Sequence, residues 1–315
     1  MYSILLTAWV PEEYLRPYRD TYHIVCPEPG RHISGQDLMD EIKNYHALFA
    51  LGVQIDKEII DKGERLKVIG NFGVGTDNID VVYAKAKGIS VVNTPSAVSD
   101  ATAEHAIALM MSVMRGIVRF DGEIRQGVWF NEAFSDRNSG ISGKTLGIIG
   151  MGRIGKLVCK KAQGLGMNCV YYNRSRLEGM EEMKYNTSYL ELDELLKISD
   201  CITLHLPYSK ESRHMAAEEF FSKMKREAYF INTSRGKVVD EAALVNALKQ
   251  KEIKGAGLDV FEQEPNVSKE LLEMVNVVLT PHVASNTLET RINMVNEALG
   301  GIIGVLEGRH VDNIV

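Results

Sequence analysis

Long apolar runs are missing from this chain of 315 residues. No stretch of about 18 consecutive apolar residues occurs, which excludes a transmembrane helix. Cysteine is scarce: Cys26, Cys159, Cys169 and Cys201 lie far apart, with no C-x-x-C and no histidine at ligand spacing. That pattern points to a reducing cytoplasm and away from any structural or catalytic metal site. Cys169 and Cys201 fall inside apolar strands and read as buried, inert thiols. No basic stripe or acidic tail is present, and the net charge of −6 is spread along the chain. Nothing therefore makes an electrostatic case for nucleic acid or an anionic membrane as partner. The N-terminus lacks a basic n-region, so Tyr2 to Thr7 reads as a first strand rather than a signal peptide. Fixed-period repeats and low-complexity segments are absent too.

What is present is an alternation of short apolar runs and helical patterns. Hydrophobic residues make up 45% and charged residues 25% of the chain, as in a soluble globular protein, and the length favours two domains. Residues 2–7, 23–26, 47–51, 67–71 and 90–93 read as strands, with helices near 34–43, 56–62 and 78–87. A long helix is expected over residues 100–126, with Gly116 not interrupting it. After an irregular loop at 127–143, a second series of six strands is expected near 145–149, 168–172, 201–204, 229–232, 254–258 and 277–280. A final helix covers about 287–307. Nearly continuous apolar strands imply parallel sheets covered on both faces. The fold class expected is α/β, with two parallel-sheet domains, Rossmann-like and flavodoxin-like. Residues 1–97 plus 287–315 would form one domain and residues 98–286 the dinucleotide-binding one, with the active site in the cleft between them.

The second series opens on Thr145-Leu146-Gly147-Ile148-Ile149 followed directly by Gly150-Met151-Gly152-Arg153-Ile154-Gly155. A strand running into G-x-G-x-x-G and then a helix is what a dinucleotide pyrophosphate requires. The first glycine makes the turn, the second admits the phosphates to backbone N–H groups, and the third lets helix and strand pack closely. The helix N-terminus then faces the negative charge. About 20 residues further on, an NAD site carries a carboxylate for the ribose 2′-OH. Here the strand ends in Asn173-Arg174-Ser175-Arg176, with no carboxylate before Glu178. Two guanidinium forks beside a hydroxyl suit a 2′-phosphate. The expected cofactor is NADP, with NADPH preferred and NADH the alternative; the bland reading leaves Arg174 and Arg176 as solvated loop charges.

Three further segments carry polar residues just past apolar strands: Asn232-Thr233-Ser234-Arg235-Gly236, Asp259-Val260-Phe261-Glu262-Gln263-Glu264-Pro265 and Pro281-His282-Val283-Ala284-Ser285. With Asn71-Phe72-Gly73-Val74-Gly75-Thr76-Asp77 and the glycine turn, they form five motifs in one order. In that order the chain resembles the D-isomer-specific 2-hydroxyacid dehydrogenase family over essentially its whole length. Within the family, Asn173 to Arg176 is similar to NADP-preferring glyoxylate/hydroxypyruvate reductases.

The resemblance implies Arg235, Glu264 and His282 as catalytic residues. Reduction of a 2-oxo acid needs a proton on the carbonyl oxygen, and histidine holds one near neutral pH. A carboxylate on the second ring nitrogen favours the charged imidazole, while arginine polarises the carbonyl and grips the carboxylate. Glu262 competes with Glu264, which is favoured because it precedes Pro265 as in the family. The resemblance also implies Thr102, Leu206, Pro207, Thr233, Ser234, Asp259 and Ala284 as cofactor contacts, beside Gly150, Gly152, Arg153, Ile154 and Gly155. For Asp259, which the resemblance places near the nicotinamide amide, the alternative is a turn cap. Substrate contacts are expected from Leu51, Phe72, Gly73, Val74, Arg235 and Ser285, with backbone N–H groups around Gly73 and Val74 taking the carboxylate. Leu51 brings no charge, which argues against substrates with a second carboxylate or phosphate.

Trp129 reads either as a substrate-pocket residue or as a packing anchor in a dimer. Tyr208 and Asn286 depart from the small residues usual at their positions. His205 reads as lining the cofactor cleft, while His23, His32, His46, His105, His214 and His310 have no evident partner. The implied activity is reduction of glyoxylate or hydroxypyruvate to a D-2-hydroxy acid, with a homodimer formed through the nucleotide domain. 2-Ketogluconate reductase is the runner-up. A cofactor-sensing corepressor is the competing class, and phosphoglycerate dehydrogenase is the less expected enzyme, since no regulatory domain is expected after residue 315.

Overall fold

The computed structural model describes residues 1–129 and 138–315. The chain forms two compact units, Met1–Val98 with Asn286–Val315, and Ser99–Ser285. Each is a parallel sheet covered by helices.

The first unit contains β1 (Ser3–Leu6), β2 (His23–Val25), β3 (Ala47–Ala50), β4 (Val68–Asn71) and β5 (Ser90–Val92), in the spatial order β2-β1-β3-β4-β5. All neighbouring pairs are parallel, and the order is the flavodoxin-like one. β3 and β4 are buried at every position. That explains their unbroken apolar spelling, since helices cover both faces. The helix Leu288–Leu306 belongs to this unit and packs Ala298, Leu299 and Ile302 against Phe49 and Val68.

The second unit contains β6 (Thr145–Ile149), β7 (Asn168–Tyr172), β8 (Ser188–Tyr189), β9 (Cys201–Leu204), β10 (Tyr229–Asn232), β11 (Gly255–Leu258) and β12 (Val277–Leu279). Their order, β12-β11-β10-β9-β6-β7-β8, is the Rossmann order extended by one strand. Six strands were expected and seven are present. β8 pairs only through Val170–Ser188 and Tyr171–Tyr189, and two residues are too few to register as an apolar run.

Two helical expectations also need correction. The helix expected over 100–126 is two helices, Ser99–Arg115 and Ile117–Arg125. Gly116 separates them at φ 64°, a left-handed conformation that ends a helical hydrogen-bond ladder and costs glycine little. The helix Glu12–Arg19, absent from the expected elements, carries Pro17 inside it, buries Leu15 and closes with a bidentate Arg19–Glu12 ion pair. Among the described residues no helix is long and apolar enough to cross a membrane.

Candidate active site

The glycine turn follows β6 in the second unit. Gly150 takes φ +100°, and a Cβ there would lie 2.5 Å from the His205 carbonyl oxygen. A Cβ on Gly155 would lie 2.2 Å from the Gly150 carbonyl oxygen, whereas one on Gly152 would meet nothing within 4 Å. Space thus exists only at the middle glycine, where phosphates must approach. Gly152 caps the helix Arg153–Gly164 with no side-chain hydrogen bond, and no acidic residue occupies the first turn. The N–H groups and the positive helix end are therefore available to an anion. These residues fit a dinucleotide pyrophosphate.

Asn173, at the end of β7, accepts from Met151 N at 2.7 Å, so it braces the turn. Arg174, Ser175 and Arg176 are exposed. Arg176 is engaged, with Nε and Nη2 gripping Glu182 at 2.9 and 2.8 Å. Hydrogen bonds from Arg176 and Tyr171 hold the Glu182 carboxyl down at about 2. Glu182 stands on the following helix, Gly179–Tyr185, and its carboxylate is taken up by Arg176 and Tyr171. Arg174 makes no ion pair among the described residues.

Three strand ends in the same unit supply the polar constellation. After β10, Asn232 Oδ1 accepts from Ser234 N and Oγ at 2.9 and 2.7 Å, and its Nδ2 donates to Arg235 O at 3.2 Å. This side chain folds the Thr233–Arg235 turn and leaves Arg235 partly exposed. Gly236 brings that turn against the next one, for a Cβ there would fall 1.8 Å from the Phe261 carbonyl oxygen. Beyond β11, Glu264 Oε1 accepts from Phe261 N at 3.0 Å and Oε2 meets His282 Nδ1 at 2.8 Å. Burial pushes the Glu264 carboxyl up. The bonds from His282 and Phe261 and the nearby charges of His282 and Arg235 outweigh this, and it lies below its ordinary value. It is therefore an anion bonded to imidazole.

His282 sits at φ 54° with 49% of its side chain exposed. With Nδ1 committed to Glu264, Nε2 is the nitrogen left for a reacting atom. Glu262 turns away, bonding His214 Nε2 at 2.5 Å and Glu241 N at 3.2 Å. Asp259 is completely buried and behaves as a turn cap, accepting from Val283 N at 2.9 Å and Ala284 N at 2.8 Å. Thr102, Thr233, Ser234 and Ala284 are buried, whereas Leu206 and Ser285 are partly exposed and Pro207 exposed. Burial pushes His205 down to about 3, so its ring is neutral. It shares a hydrogen bond with Thr203, and its Nδ1 is buried without a partner among the described residues.

In the first unit, the loop after β4 presents part of what was expected. Gly73 N is spent on Asn71 O at 3.0 Å, and Gly73 O accepts from Thr94 N at 3.1 Å. Val74 O accepts from Asn93 Nδ2 at 2.8 Å. With these carbonyls tied down, planar trans peptides turn the N–H groups of Val74 and Gly75 the opposite way. Those two have no partner among the described residues, whereas the Gly73 N–H is already bonded to Asn71 O. Phe72 packs on Phe49, and Leu51 N is held by Thr7 Oγ1 at 2.8 Å. Trp129 is 74% exposed, and most of the loop after it, 130–137, lies outside the described residues.

Two pairings escaped the sequence reading. His214 reaches Glu262 across 48 residues, and His105 reaches Thr280 across 175 residues at 2.9 Å. No local pattern announces a partner so far away.

The order of strands, the glycine cradle and the Arg–Glu–His cluster define a nucleotide-dependent oxidoreductase. Residues 107–284 match the model of the D-isomer specific 2-hydroxyacid dehydrogenase NAD binding domain, more than half of the chain. A glyoxylate reductase of Thermococcus litoralis is 40% identical, over 99% of this chain and 96% of that protein. The structure of a glyoxylate reductase from Paecilomyes thermophila superposes with TM-score 0.89 at 32% identity, covering 100% of this chain and 98% of that one. That of an NADPH-dependent glyoxylate/hydroxypyruvate reductase from Sinorhizobium meliloti, in complex with NADP and malonate, gives TM-score 0.84 at 28% identity, with 100% and 96% covered. The chain belongs to the D-isomer-specific 2-hydroxyacid dehydrogenase family.

Proposed function

We propose that this enzyme reduces glyoxylate and hydroxypyruvate to the corresponding 2-hydroxy acids of the D series, with NADPH as donor and His282 as general acid. The observation that carries the reading is the His282 Nδ1–Glu264 Oε2 contact of 2.8 Å beside a partly exposed Arg235. When bound, the reduced nicotinamide supplies a hydride to the carbonyl carbon. His282 Nε2–H gives its proton to the carbonyl oxygen, and Glu264 stabilises the imidazolium before that transfer. Arg235 holds carbonyl and carboxylate oxygens in its planar fork. The substrate class rests on the relatives called glyoxylate reductase.

The NADPH preference rests on Arg174 and Ser175, which are exposed at the end of β7 with no carboxylate on the strand end itself. Pairing of two copies through the second unit is supported by Ile117, Val118, Ile124, Val128 and Trp129, large apolar side chains exposed in one stretch. The four free cysteines support a reducing cytoplasm. Steady-state rates with glyoxylate, hydroxypyruvate and 2-ketogluconate, using NADPH and NADH, test the assignment. His282→Gln should lower kcat by about 10²–10⁴ while NADPH affinity stays the same. Tight NADPH binding with no turnover of any of the three acids would refute the reading.

A further inference from the structure

The His282 turn is held in an unfavourable shape. A non-glycine residue at φ 54° persists only where its surroundings over-determine it. Asp259 does most of that work. Its backbone O accepts from His282 N at 2.8 Å, and its carboxylate receives Val283 N and Ala284 N. Thr280 Oγ donates to Asp259 Oδ1 at 2.6 Å. Burial pushes this carboxyl up, but the His105 and Thr280 bonds and the two backbone donors bring it below its ordinary value. Asp259 is therefore an anion and can only accept.

That settles the direction of the next link. The single Thr280 hydroxyl proton points at Asp259, so the hydroxyl can only accept at its 2.9 Å contact with His105 Nε2. His105 carries its proton on Nε2, which also lies 3.5 Å from Asp259 Oδ1. It stands on the helix Ser99–Arg115, whose Ala103, Ala106 and Leu109 share one buried cluster with Tyr229 and Ile231 of β10. The imidazole is thus mounted on a rigid element of the same unit. It closes a line from helix to Thr280 to Asp259 to the backbone under His282.

We propose that His105 is a positioning residue, acting through Thr280 and Asp259 to hold the His282 imidazole against Glu264. Without the His105 proton, the Thr280 hydroxyl loses its outer partner and can swing from Asp259. The carboxylate then loses a donor, and the strained turn loses one of the ties that set the direction of Nδ1. Sub-ångström drift of a proton donor lowers kcat more than KM, because the ground-state contacts of the substrate come from other residues.

The inference rests on the proposed role of His282, so its test has one arm that needs no turnover. In proton–nitrogen NMR of the full chain, His282→Gln identifies the ring N–H resonance of the Glu264 contact. That resonance should be lost in His105→Leu and kept in His105→Gln, whose amide places a donor near the ring Nε2. In the kinetic arm, His105→Leu should lower kcat about tenfold to a hundredfold with KM values little changed, and His105→Gln should recover most of it. Thr280→Val and Thr280→Ser repeat the test should His105→Leu not fold, with loss for valine and rescue for serine. An unchanged resonance and kcat in His105→Leu and Thr280→Val overturn the proposal. So does an equal loss in the leucine and glutamine variants. If the parent chain turns over no 2-oxo acid, the functional reading fails and the NMR arm still decides this one.

Discussion

Both units begin alike, with a buried parallel strand, a turn and a helix, yet only one of the two turns is built for phosphate. In the first unit β1 runs into Thr7, which is completely buried and exchanges hydrogen bonds with Leu51 at 2.8 and 3.3 Å. Pro11 precedes the helix Glu12–Arg19, whose first turn holds Glu12 and Glu13. Proline presents no N–H and two carboxylates repel an anion at a helix start. In the second unit β6 runs into Gly150, resting on the carbonyl of His205, and the helix opens on Arg153 with no acid in its first turn. One architecture thus carries opposite electrostatics. The strand ends are braced in the same way, from the residue after the adjacent strand, but a side chain seals one turn and glycine leaves the other open.

The comparison can be broken most severely at the close approach in the second unit. Gly155→Val would force a branched side chain onto the Gly150 carbonyl oxygen. It should cost about 1–3 kcal/mol of stability and raise the NADPH Kd more than about tenfold, or by over 1.4 kcal/mol. Calorimetric titration and thermal unfolding measure both, and a wild-type Kd would show that the turn is not the phosphate cradle. Arg174→Ala should lower the ratio of kcat/KM for NADPH over NADH by about tenfold to a hundredfold, the worth of one charged hydrogen bond. An unchanged ratio would leave the loop charges solvated and the preference set elsewhere.

His205 allows a test by pH. Its folded value near 3 lies below the ordinary one near 6.5, so the unfolded chain binds the extra proton first. The neutral ring leaves stability intact above about 6.5, and stability falls as pH drops from there toward 3, by at most about 1.4 kcal/mol per pH unit. His205→Asn should flatten that part of the urea-denaturation profile, and an identical acid slope in both proteins would show that burial of the ring does not matter. The smallest effect belongs to the first unit. Glu13→Gln should change stability by less than about 0.5 kcal/mol and leave NADPH binding untouched, whereas a rise in affinity would place a phosphate at the wrong helix.

Much of this was legible in the residues. Buried strands such as Val68–Asn71 and Cys201–Leu204 spell themselves as apolar runs because helices cover both faces. Ser188–Tyr189 did not, being two residues at a sheet edge. The break at Gly116 was not legible, since helical periodicity continues on both sides of a residue whose φ is 64°. In the site, adjacency to Pro265 pointed to Glu264, while the fate of Glu262 depended on His214, which is 48 residues away.

By itself the sequence determined the alternation of elements and the phosphate turn, because each is written in local spacing, while the roles expected of Arg235, Glu264 and His282 came from the resemblance to a family. Only tertiary structure decided which groups are already spent. Arg176 belongs to Glu182, the Gly73 N–H to Asn71, and the Asp259 carboxylate to the turn beneath His282. A donor or acceptor has few bonds to give, and folding, not spacing, assigns them.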